Sequence, residues 1–130
     1  MTEVAGQRLP LLDTGSLTGD LEMLLSIVSI ALRHPLASQI IPDLLAEAAR
    51  NPQIAQKLQE ALQANQRDVA TQLLTRAVER GELQKADPDL AMDLVLGPLY
   101  WRLAIARSPM PPDYVQRLAA ATAKVLAARD

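Results

Sequence analysis

Twice in this chain a capping side chain stands directly before a proline, at Asn51-Pro52 and at Asp87-Pro88. Such a pair opens a helix. The Asn or Asp oxygen accepts from a first-turn N–H, and proline at the first helical position lacks only an N–H that had no helical partner. From Asn51 the helical pattern runs to Gly81, with Arg76 and Arg80 suited to the negative end of the dipole and glycine to the stop. Ile54, Leu58, Leu62, Val69 and Leu73 share one face of this long helix, and Gln53, Lys57, Glu60 and Gln63 occupy much of the other. The helix opened at Asp87 runs to about Ala106, and Pro98, after Gly97, predicts a kink in its middle.

Three further segments follow the same rules. Thr14, Gly15, Ser16 and Thr18 supply turn and cap chemistry, and Asp20 and Glu22 suit the positive end of a helix starting near Ser16 and ending before Pro35. Leu17, Leu21, Leu24, Leu25, Val28 and Leu32 line one face, and Met23, Ile27 and Ile30 widen it until only Ser26, Ser29 and the charged ends stay polar. Residues 35 to 50 form a second helical region, with a break expected at Pro42. The last helix runs from Pro112 towards Ala128, with Tyr114, Val115, Leu118, Thr122, Val125 and Leu126 on a broad apolar arc. No alternating stretch competes, so the fold class is all-α, with five main helices.

The composition fits one such domain. Of 130 residues, 49% are hydrophobic, yet only Tyr100, Trp101 and Tyr114 are aromatic, which favours helix over sheet. A net charge of −2 argues against a self-sufficient nucleic-acid binder. The absence of cysteine excludes disulfides, thiolate metal sites and a cysteine nucleophile, and fits a cytoplasmic location. The apolar run from Met23 to Leu32 is about half of what a membrane span needs.

Catalysis finds no support in these residues. His34, the one histidine, sits at a helix end, where an imidazole helps to satisfy terminal carbonyls. Asp87, Asp89 and Asp93 read as a cap, a dipole partner and a surface residue, with no glycine-rich phosphate loop beside them. No enzyme, cofactor or metal site is therefore expected. The Gly81 to Asp87 connection is too long for a helix-turn-helix, and Leu90, Met92, Leu94, Val95 and Leu96 are aliphatic where a recognition helix needs basic and amide groups.

The fourth helix has two apolar faces, Leu90, Leu94, Trp101 and Ile105 on one and Met92, Leu96, Leu99 and Leu103 on the other. A surface helix of a monomer needs one, so the second meets either the domain centre or another subunit.

Asp13-Thr-Gly-Ser-Leu-Thr-Gly-Asp-Leu21, Arg80-Gly-Glu-Leu83 and Asp87-Pro-Asp-Leu-Ala-Met-Asp-Leu-Val-Leu-Gly-Pro-Leu-Tyr-Trp-Arg-Leu103, in this order, resemble the C-terminal domain of TetR/AcrR-family transcriptional regulators. The resemblance covers roughly residues 13 to 128. It implies helices that dimerise and enclose a small-molecule effector, while an N-terminal helix-turn-helix domain binds the operator. Residues 2 to 9 look like the end of the connecting helix, so a fragment or late-start product without the DNA-binding helices is expected, with residues 1–13 as linker and 14–130 as the regulatory domain.

On this basis the expected role is sensing and dimerisation, without DNA or membrane binding by this chain; the alternative is a ligand-free dimerisation module, such as a truncated partner of full-length regulators. A two-fold homodimer is expected through the fourth and fifth helices, using Leu90, Leu94, Trp101, Ile105, Val115, Leu118, Thr122 and Val125, with Ala120, Ala123 and Ala127 permitting close approach. With the other face outward, Leu96, Leu99 and Leu103 take that role. An apolar effector pocket is expected between Leu24 and Val28, Leu58, Leu62 and Asn65, and Leu96 and Tyr100, since a proline kink hinders straight packing. Asn65 and the Tyr100 hydroxyl would orient the guest. Gln66, Arg67 and Asp68 allow Asn65 to lie at a wet rim instead.

Overall fold

The computed structural model describes residues 13–128, with the side chains of 37–38 and 62–67 outside that description. The residues expected to form the linker, 1–13, therefore lie outside it except for Asp13. Helix α1 spans Leu17–Arg33, α2 Pro35–Arg50, α3 Pro52–Glu79, α4 Pro88–Leu99 and α5 Tyr114–Ala127. A π-helical segment, Tyr100–Ile105, continues α4, and the described residues contain no strand.

The caps stand where local chemistry requires them. Ser16 Oγ accepts from the Gly19 N–H at 3.0 Å, Asn51 Oδ1 from Gln53 and Ile54 at 3.0 and 3.4 Å, and Asp87 Oδ1 from Leu90 at 3.2 Å. Gly81 ends α3 at φ +82°, with its own N–H on Val78 O and that of Glu82 on Ala77 O, a closure that a residue with a Cβ enters at a cost.

His34 works at the opposite pole from the one its sequence position suggested. Its Nδ1 accepts from the Leu36 N–H at 3.2 Å and caps the start of α2, rather than serving the last carbonyls of α1.

The two prolines inside helices have different consequences. Pro42 does not break α2, which runs unbroken from Pro35 to Arg50. The carbonyl of residue 38 loses its helical donor, but Pro42 is exposed, so water can satisfy that carbonyl. Pro98 lies one residue before the end of α geometry, and the backbone then widens into the π segment, closed by the Ala106 N–H on Trp101 O at 2.7 Å. The last helix starts at Tyr114 rather than Pro112, its first N–H held by Pro111 O.

Helix α1 occupies the centre and packs against all four other helices and the π segment. Leu21 and Leu25 from α1, Leu73 and Leu74 from α3, and Val95 and Leu99 from α4 are the largest apolar side chains fully enclosed. Burying each contributes about 1.5–3 kcal/mol. The inward face of α1 is the expected stripe of Leu17, Leu21, Leu24, Leu25, Val28 and Leu32, but it does not widen to Ile27 and Ile30. Ser29 is buried, donating from Oγ to Ser26 O, while Ile27 and Ile30 are exposed.

Candidate functional site

The first two stretches that carry the family resemblance meet at one point. Asp20 lies on the apolar stripe of α1 and is buried, where an unpaired carboxylate would be costly. Thr14 donates to Asp20 Oδ1 from its backbone N–H at 2.9 Å and from Oγ1 at 2.7 Å. Arg80, at the end of α3, donates from Nη2 to Oδ2 at 3.1 Å, and Arg76 Nη2 stands 3.6 Å from the same oxygen. Arg80 also grips Glu82 through Nε at 2.8 Å and Asp13 through Nη1 at 2.9 Å. Glu82 in turn accepts the Leu17 N–H with both carboxylate oxygens, at 2.9 and 3.1 Å. A Cβ at Gly19 would collide with Thr14 Oγ1, which explains a glycine inside the first helical turn.

Burial pushes the Asp20 carboxyl up, but the hydrogen bonds from Thr14 and Arg80 and the charge of Arg76 outweigh it and hold the group below its ordinary range. The cluster locks the segment leading into α1 against the end of α3. The sequence reading assigned Asp20 only to the helix dipole. The signal for more was its place between Leu17 and Leu24 on the apolar stripe.

The two apolar faces of the α4 and π region separate cleanly. Met92 and Leu99 are buried and Leu96 and Leu103 pack against the core, whereas Leu90, Trp101 and Ile105 point outward. Trp101 and Ile105 are each 62% exposed. Leu94, on the outward face of the wheel, is half-buried. On α5, Val125 is 52% exposed and Ala120 and Ala127 are exposed, but Val115, Leu118 and Ala123 pack on the core. Thr122 is buried and faces inward with Ala119, two small residues that permit close packing within the chain, so it is not part of the outer surface.

Of the residues expected around an effector, Leu24 is buried in the core, and Val28, Leu96 and Tyr100 are partly buried against it. Leu58 is half-buried on the first half of α3, and the side chains of Leu62 and Asn65 lie outside the described residues. Two open hollows lie elsewhere, beside the connection between the π segment and α5, and none of the seven residues lines them. The described residues hold no group of three or more His, Asp or Glu able to bind a metal, and no helix among them is long and apolar enough to cross a membrane.

A central helix locked by polar contacts to the end of a long third helix, with an apolar face left outward on the fourth, defines the architecture of this all-helical domain. The sequence pattern of the family described as "Tetracyclin repressor-like, C-terminal domain" matches residues 11–122, and the chain belongs to that family of non-enzymatic regulators. It is also 30% identical over 120 residues to the "Uncharacterized HTH-type transcriptional regulator YdeS" of Bacillus subtilis (strain 168). That match covers 88% of this chain and 58% of the relative's length.

Proposed function

We propose that this chain is the dimerising and effector-sensing part of an HTH-type transcriptional regulator, as the name of its relative suggests, with residues 14–130 forming the regulatory domain and residues 1–13 leading into it. One observation carries the reading: Trp101 and Ile105, each 62% exposed, stand with Leu90 on a face that the chain itself leaves uncovered. A tryptophan so placed is a strong interface anchor. Two copies meeting through α4, the π segment and α5 cover this face in a four-helix arrangement, with Leu94 at its border and the exposed Val125 contributed by α5.

The effector is a small apolar molecule held between α1, α3 and α4 by Leu24, Val28, Leu58, Leu62, Asn65, Leu96 and Tyr100. The place of Leu24 in the core, with Val28, Leu96 and Tyr100 packed against it, supports that location. The protein works in the cytoplasm, and this chain makes no sequence-specific contact with DNA, in keeping with its net charge of −2.

Sedimentation equilibrium together with thermal shift across a panel of hydrophobic small molecules tests both halves. A dimer whose stability rises with ligand concentration is the expected result. A monomer at micromolar concentration overturns the first half, and a dimer that no compound stabilises leaves a ligand-free dimerisation module.

A further inference from the structure

The connection between the π segment and α5 is a preformed wall. The Ser108 N–H reaches Arg102 O at 2.8 Å, and Arg102 Nη1 donates to Pro109 O at 2.7 Å. The Arg102 guanidinium also lies 4.6 Å from the centroid of the Tyr114 ring. Between these fastenings Arg107 adopts φ +52°, a left-handed conformation that a residue with a long side chain rarely takes. Backbone held in such a region gathers at ligand clamps.

This wall faces the C-terminal end of α1 across two hollows. One, of about 300 Å³, includes Ser29, Ile30 and Val115 in its lining. The other, of about 450 Å³, includes Leu32, Leu103 and Arg107. Arg33 and Met110 border both, so the two hollows adjoin as one groove-like stretch of surface, and among the described residues no carboxylate lines either. Arg33 uses Nε on Ser29 O at 3.4 Å, one of the five donors of its guanidinium. The volumes fall within the ~300–1,000 Å³ typical of small-molecule sites.

We propose that this groove binds a soluble medium-chain carboxylate. The aliphatic body lies along Leu103, Met110 and Val115, and the carboxylate meets the cationic rim formed by Arg33 and Arg107. A guanidinium fork matches two carboxylate oxygens, and the described lining holds no acidic group to repel such an anion. The site is distinct from the space between α1, α3 and α4 and does not depend on the reading given above.

The test is calorimetric titration of the full chain with decanoate below its micelle-forming concentration, with decanol as the uncharged control. Decanoate is expected to bind at least about tenfold more tightly than decanol. The double variant Arg33→Gln, Arg107→Gln alters two exposed side chains and should keep its helical circular dichroism while losing that preference. No decanoate binding, equal binding of the two compounds, or full decanoate affinity in the double variant overturns the proposal.

Discussion

Asp20 and Arg80 are 60 residues apart in sequence, and Arg80 Nη2 donates to Asp20 Oδ2 across 3.1 Å. The pair ties the first turn of α1 to the last turn of α3. Because Thr14 and Asp13 join the same cluster, the path of the chain into α1 is held by the end of α3.

Replacing Asp20 by Asn removes a buried acceptor of charged hydrogen bonds. Urea unfolding is expected to show a loss of about 2–3 kcal/mol at neutral pH. The pH dependence has a definite sign. Asp20 in the folded chain sits below its ordinary value, so the unfolded chain takes up the proton first as pH falls. The stabilisation is complete above about pH 5 and is lost between there and the lower folded value. The Asn variant should lack this part of the acid slope, and parallel acid profiles of the two proteins would contradict it.

Gly19→Ala tests the tightness of the same turn. Its added Cβ meets Thr14 Oγ1 and lies 3.0 Å from Ser16 Oγ, so both the cap and the Asp20 bond are disturbed. A loss of about 1–3 kcal/mol is expected, although alanine has the higher helix propensity. A stabilised variant in thermal denaturation would show that the loop yields freely.

The faces of α1 give a contrast within one helix. Leu25 is fully buried and Leu25→Ala should cost about 2–5 kcal/mol, whereas Ile30, 65% exposed, should change stability by no more than about 0.5 kcal/mol on substitution by Ser. Equal losses in urea denaturation would mean that Ile30 is covered in solution.

Trp101→Ala and Ile105→Asp both fall on exposed positions, so each variant should fold with unchanged helix content. If this face joins two copies, the tryptophan variant should dimerise at least about tenfold more weakly, a cost of about 1.4 kcal/mol or more, and the aspartate should give monomers. Light scattering across a dilution series reads the result, and an unaltered dimer in both excludes this face.

The caps at Ser16, Asn51 and Asp87 were legible because a cap and its partner N–H lie within three residues, so neighbouring sequence contains the whole interaction. The Gly81 stop was legible for the same reason, its N–H reaching Val78 O. Helical periodicity likewise exposed the two apolar stripes of the fourth helix before any contact was known. Which stripe faces inward was not local information. It followed from where α1 and α5 pack, and that packing enclosed Leu99 and left Trp101 outside. Pro42 shows the same limit from the other side: the missing hydrogen bond is written in the sequence, but its consequence depends on solvent reaching that stretch of α2. The burial of Ser29 beside an exposed Ile30, the joining of Asp20 to Arg80, and the groove beside Arg33 all depend on elements distant in sequence. Local chemistry set where helices begin and end, and only their packing against one another decided which side chains meet and which stay exposed.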